Sequence, residues 1–186
     1  ILPTDTTYAM VAHAYKPEAI RKIQTLKQAD IQQPMAVFTT KEKASELGTV
    51  SESCRRLMEI WPEAVSLLIP HNHEFPDEVT AGSNSLLIIC PDRFMESLAT
   101  ELPFPIVGVA AGVSSLLPVR NAEHANQHFQ GKIPLIVDGG QSKYDMGGTL
   151  VDCTVDVPVT LKFGPISVDE LKKFDSQVHL ASHLMK

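Results

Sequence analysis

The sequence predicts a single α/β domain built on a twisted sheet with parallel and antiparallel strands, flanked by helices. Three observations predict it. A chain of 186 residues with 44% hydrophobic content is the size of one domain with one sizeable core. Short apolar runs of strand length alternate with segments whose apolar residues recur at helical spacing. No internal repeat, low-complexity tract or linker divides the chain.

Taken in order, the opening ILPTDTTYAM leads into a strand over residues 8–14, with Pro3 removing a backbone donor just before it. Pro17 suits a first helical turn, and Ala19, Ile20, Ile23 and Leu26 continue the helix to about Lys27. Met35 to Thr39 reads as a short buried strand, 41–47 and 51–60 as helices, and Val65 to Ile69 as a strand after the Trp61-Pro62 break. The run LLIIC, Leu86 to Cys90, is apolar throughout and suits a central strand covered on both faces. Pro91 then opens a helix whose inner stripe is expected to be Phe94, Leu98 and Leu102. Further strands are expected at Ile106 to Ala110, Leu135 to Asp138, Thr149 to Asp152 and Val159 to Phe163. Ser167 with Glu170 forms a capping box before a final amphipathic helix within residues 165–186. The chain begins without Met inside an apolar pair, and the reading expects a preceding helix and the rest of a first strand.

Composition narrows the function. A net charge of −6 argues against wholesale nucleic-acid binding, which rewards clustered Lys and Arg, and leaves weak or no RNA binding as the expectation. Cys54, Cys90 and Cys153 are far apart and lack C-x-x-C spacing, so neither a disulfide framework nor a zinc site is signalled, which fits a reducing cytoplasm. No signal peptide is visible and no apolar run reaches membrane-spanning length, so no membrane partner is expected. His124 and His128 stand four apart on an expected helix without a third ligand, and His71 and His73 flank Asn72 in a loop. Solvated histidines are the expectation at both places, with no metal site. The Asp138-Gly139-Gly140 and Gly147-Gly148 turns either admit a ligand or merely close a connection.

The order of these pieces carries a resemblance. Pro3-Thr4-Asp5-Thr6-Thr7-Tyr8, a helix ending in Lys27, Gln33-Pro34-Met35, Trp61-Pro62, an apolar strand closing on Pro91, Asp138-Gly139-Gly140, Thr149-Leu150-Val151-Asp152 and Leu161-Lys162-Phe163-Gly164 follow one another as in the YrdC-like family, over residues 1–164. The resemblance implies a concave ligand-binding face and the synthesis of threonylcarbamoyl-AMP from L-threonine, bicarbonate and ATP, a step towards threonylcarbamoyl-adenosine in tRNA. It implies that Thr4, Thr6 and Tyr8 hold the amino acid, whose ammonium, carboxylate and hydroxyl each want a fixed partner out of water. It places Lys27, Ser114, Thr149 and Lys162 towards the nucleotide and its phosphates.

The phosphate side departs from the family pattern. Where the family has Lys-x-Arg, this chain reads Lys27-Gln28-Ala29, with Asp30 following. Ile89 stands where an arginine is usual, Ala110-Ala111-Gly112 replaces a Ser-x-Asn turn, Gly148 replaces a serine, and Lys162 replaces an arginine and with it the bidentate fork. The expectation is therefore a retained small-ligand pocket with a degraded ATP site, in a weakly active or non-catalytic paralogue. The alternatives are an active nucleotidyltransferase using ATP and magnesium, and an RNA-binding module. Catalytic residues are not identifiable from the sequence.

Overall fold

The computed structural model describes residues 1–28, 33–71, 75–113 and 118–185. In chain order the elements are β1 (Ala9–His13), α1 (Pro17–Lys27), β2 (Ala36–Phe38), α2 (Ala44–Leu47), α3 (Glu52–Met58), β3 (Val65–Pro70), α4 (Asp77–Thr80) and β4 (Ser85–Ile89). Then follow α5 (Arg93–Glu101), β5 (Ile106–Ala110), α6 (Ala122–Phe129), β6 (Thr149–Asp152), β7 (Val159–Lys162), α7 (Val168–Leu171), β8 (His179–Leu180) and a 3₁₀ turn at Ser182–Leu184. The strands form one sheet in the order β1-β5-β2-β4-β3-β6-β7-β8. It is mixed, as the sequence predicts: β2 with β4, β3 with β6 and β7 with β8 run parallel, and the other neighbours run antiparallel.

Strand periodicity decides which side chains face which layer. Met10, Val37, Ile88 and Val107 join the larger core cluster, where α1 contributes Ile20 and Ile23, α3 Cys54 and Leu57, and α6 Ala125 and Phe129. Their immediate neighbours Ala9, Phe38, Ile89 and Ile106 join a smaller cluster on the other face with Leu2 and Met95 of α5. The apolar run of β4 is thus covered on both sides, with Leu86, Ile88 and Ile89 all buried. Among the described residues no helix is long and apolar enough to cross a membrane.

Three expectations are corrected. Residues 135–138 form no strand: Pro134 supplies no amide, Leu135 is 60% exposed, and the segment runs beside the chain start, with the Val137 amide donating to the Ile1 carbonyl at 3.0 Å. Of the expected stripe of α5, Leu98 and Leu102 pack against the smaller core cluster but Phe94 is 44% exposed, and the fully buried positions are Met95 and Ala99, because Asp92 rather than Pro91 caps the helix and sets its rotation. The C-terminal helix is a single turn. Its Ser167–Glu170 capping box is present, but the chain leaves the helix to bury Asp175, whose carboxylate accepts from the Gln177 amide and from Arg56 Nη2, both at 3.0 Å. That turn lets β8 pair with β7 and form the edge of the sheet.

Asp175 thereby fastens the last segment to α3. Asp175→Ala leaves the Gln177 amide without its acceptor and cuts the tie from Arg56, which keeps its bonds to Glu52 and Ser53, and the expected loss is about 1–3 kcal/mol of unfolding free energy in urea titration. A variant as stable as the parent contradicts this account of the C-terminal segment.

Candidate functional site

The small hydroxyls of the opening turn serve first to build it. Thr4 Oγ1 donates to the Thr7 carbonyl at 2.5 Å, accepts from the Thr7 amide at 3.2 Å and pairs with the Thr6 hydroxyl at 2.9 Å. Side-chain oxygens that bond the backbone a few residues on stabilise such turns in place of helix or strand. Thr4, Thr6 and Thr7 are all buried. At the end of the turn, Tyr8 is completely buried, and its phenol donates to the Gly140 carbonyl at 2.8 Å while accepting from the Gly139 amide at 3.0 Å. Asp138 closes the same glycine turn by accepting from the Gly140 amide at 2.9 Å. Gly139 is required by close approach, since a Cβ there would lie 2.6 Å from the Pro3 ring.

Between these two turns and the start of α5 lies a cavity of about 260 Å³. Pro3, Thr4, Asp5 and Tyr8 form one wall, Val137 to Ser142 another, and Asp92 and Phe94 a third. Asp92 is fixed twice: Oδ1 caps α5 by accepting from the Met95 amide at 2.9 Å, and Oδ2 accepts from the Asp5 amide at 3.0 Å. Burial pushes its carboxyl above the usual aspartate range, against the pull of those backbone donors. Asp5 stands 4.0 Å from Lys143, which lies closer to Glu63 at 3.2 Å and over the Tyr144 ring. The Tyr144 amide donates to the Asp5 carbonyl at 2.8 Å, so the loop after the glycine turn is tied back to the threonine turn. Two carboxylates beside an exposed aromatic ring suit a small ligand that carries an ammonium and an apolar part.

The residues singled out from the sequence fall in different places. Thr4 and Tyr8 border the cavity, whereas Thr6 stands behind Thr4. Thr149 is completely buried, its hydroxyl donating to the Ile166 carbonyl at 2.7 Å and accepting from the Ile166 amide at 3.1 Å. Its role is to hold the chain after Gly164 against β6. Lys27 Nζ donates to the Ala110 carbonyl at 2.8 Å, and partial burial lowers its pKa. Lys162 ends β7 beside Gly147. Lys27 therefore contacts β5 and Lys162 belongs to β7, with β2, β4, β3 and β6 between them in the sheet. Ser114 lies outside the described residues, as do Ala29, Asp30, Asn72 and His73.

His124 and His128 do share one side of α6, where they border a second cavity of about 540 Å³. No group of three or more His, Cys, Asp and Glu side chains among the described residues is arranged to hold a metal ion. Asp92 and Phe94 are the site residues that sequence reasoning missed. The Pro91-Asp92 pair ahead of a helical pattern is an N-cap signal, and it marks Asp92 as a positioned carboxylate at the end of a central strand.

Comparison with known proteins agrees with this architecture. The Sua5_yciO_yrdC family model, described as telomere recombination, matches residues 1–164. The threonylcarbamoyl-AMP synthase of Bacillus subtilis is 30% identical over 183 residues, covering 96% of this chain and 53% of that protein. The crystal structure of P. abyssi Sua5 complexed with L-threonine superposes with a TM-score of 0.89 at 26% identity, over 97% of this chain and 54% of that one. E. coli YciO, at 19% identity and a TM-score of 0.78, shares the fold over 91% of this chain and 84% of its own. The chain spans about half the length of the first two of these relatives.

The double hydrogen bond of Tyr8 makes a direct prediction. Tyr8→Phe keeps the ring but strands the Gly139 amide and the Gly140 carbonyl, and the expected cost is about 1–3 kcal/mol in thermal or denaturant unfolding. Unchanged stability contradicts the role given to the phenol.

Proposed function

The chain belongs to the Sua5/YciO/YrdC family, and from that premise we propose that it holds a threonine-like amino acid in the cavity beside Thr4 while acting weakly or not at all as a threonylcarbamoyl-AMP synthase. The observation that carries the reading is the pairing of a built amino-acid-sized cavity with a dispersed set of phosphate-facing cations. In the cavity, Asp92 is desolvated yet held in place by two backbone donors, so an entering ammonium finds a positioned counter-charge and relieves the burial cost. Phe94 offers an apolar surface to the ligand's carbon chain, and the L-threonine complex of the P. abyssi relative supports the choice of ligand.

ATP, the co-substrate of a synthase, is less well served. Its phosphates want several converging cations and neutral donors, whereas Lys27 is drawn to the Ala110 carbonyl and Lys162 stands on the other flank of the sheet. Ala110, Ala111 and Gly112 bring no side-chain donor. Removing one positioned donor from developing charge costs about 3 kcal/mol, or on the order of a hundredfold or more in rate, and such losses do not simply add. In an active synthase the magnesium ion would come with the triphosphate and supply charge there.

Calorimetric titration with L-threonine tests the binding half, and pyrophosphate release in the presence of ATP, bicarbonate and threonine tests the other. Binding is expected, with release on the order of a hundredfold or more below the B. subtilis relative. Because the Asp92 carboxyl is raised, it takes up a proton at higher pH than an ordinary aspartate as the solution is acidified. The carboxylate then loses its hold on the ammonium, so threonine affinity falls as pH drops into the carboxylate range. Asp92→Asn can keep the helix cap but gives up the charge and the bond from the Asp5 amide, and is expected to bind threonine about tenfold or more weakly with little remaining pH dependence. Silent calorimetry overturns the ligand, and release at the relative's rate overturns the degraded ATP site.

A further inference from the structure

We infer that the cavity between α6 and the loop after the glycine turn is a second binding site, for the phosphate group of a small molecule, with Arg120 as its anchor. Arg120 is held rigidly from the backbone. Its carbonyl accepts from the Ser142 amide at 2.8 Å, its predecessor Val119 accepts from the Tyr8 amide at 2.9 Å, and its successor Asn121 caps α6 through the His124 amide at 2.8 Å. The Asn121 side chain also donates to Gln141 Oε1 at 3.1 Å, which fixes the opposite rim.

The guanidinium so positioned is under-satisfied. Of its five N–H donors, the side chain uses one among the described residues, a long bond of 3.4 Å from Nη2 to the Ser142 carbonyl. Its Nε is shut off from solvent with no acceptor, and the neighbouring Ser142 Oγ is likewise buried without a partner. None of the ion pairs among the described residues involves Arg120. The buried Nε and Ser142 Oγ lie out of a ligand's reach, but Nη1 makes no hydrogen bond among the described residues and is not among the atoms shut off from solvent, so an incoming anion can meet the guanidinium there and offset the cost of a partly buried cation without a counter-ion.

The rest of the cavity fits an oxyanion with a modest organic body. Its volume of about 540 Å³ accommodates a small molecule. His124, Gln127 and His128 line it from α6 and Gln141 from the loop, giving imidazole and amide groups that can donate to oxygens. Asp145 is the acid in the lining, and it is exposed, so water and salt screen its repulsion. A guanidinium matches phosphate oxygens bidentately, which favours phosphate over a diffuse anion. Gln141 borders both cavities, so occupants of the two sites would be neighbours across one side chain, although this inference does not depend on what fills the first.

The test is titration of the full chain with inorganic phosphate, pyrophosphate and AMP, followed by calorimetry and by the imidazole resonances of His124 and His128. Binding of at least one is expected, with shifts at both histidines. Equal affinity for phosphate and AMP means that the phosphate group alone is read; tighter AMP means that the nucleoside also occupies the cavity. Arg120→Gln is expected to fold with unchanged or higher melting temperature, since it removes an orphaned charge, and to lose about tenfold or more in affinity together with any stabilisation by the anion. Should that variant not fold, the double change His124→Leu with Gln127→Leu on the exposed wall is expected to weaken binding severalfold. Failure of all three probes to bind, or binding that neither variant weakens, overturns the inference.

Discussion

The Tyr8 phenol, completely buried, donates to one glycine carbonyl and accepts from the preceding glycine amide, and so joins two segments more than a hundred residues apart in the chain. The rest of the site is arranged around that joint. It holds the Asp138–Gly140 turn against Pro3, where only a glycine fits, and it fixes the far end of the threonine turn whose own hydroxyls have already been used to shape it. The Tyr8 backbone continues the same function: its amide donates to Val119 and its carbonyl accepts from Ala111, which places the strap carrying Arg120 beside the turn. A buried hydroxyl with both donor and acceptor satisfied is rigid, because breaking either bond strands a polar group out of water.

Rigidity of this kind explains why the two halves of the site differ. The cavity proposed for the amino acid is built from backbone turns and from carboxylates held by amides, so its geometry survives changes in surrounding side chains. On the reading proposed above, a phosphate side would rest on long cationic side chains converging from separate strands. In this chain Lys27 leans on a backbone carbonyl, Lys162 remains across the sheet, and Ile89, Ala110, Ala111, Gly112 and Gly148 bring no polar side chain. In the proposed reading, the absence of arginine forks at these positions removes both charge and direction, while the sheet beneath them keeps its order.

Much of the fold was legible because strand and helix periods are strong signals. The apolar run of β4 between Ser85 and Pro91 reads as a central strand, and the Pro17 start and Lys27 end of α1 fall where the spacing places them. The failures share a cause. Leu135 to Asp138 has the composition of a strand and lies beside Ile1, to whose carbonyl the Val137 amide donates, but it joins none of the strands of the sheet. Phe94 and the final helix were misplaced because one aspartate in each case, Asp92 as cap and Asp175 as a buried acceptor, overrides the apolar pattern. At the site, residue types were visible but their directions were not. The motif shows the Thr149 hydroxyl but not that it bonds Ile166, and the N-cap signal of Asp92 does not show that it borders the cavity.

The central claim, that the cavity beside the threonine turn receives the amino acid, is tested most directly by nuclear Overhauser contacts between bound L-threonine and the protein. The account predicts contacts from the ligand methyl and methine protons to the Phe94 ring and to Thr4, both of which line that cavity. Contacts confined to His124 and His128 of the neighbouring cavity, or no contacts at saturating threonine, contradict it.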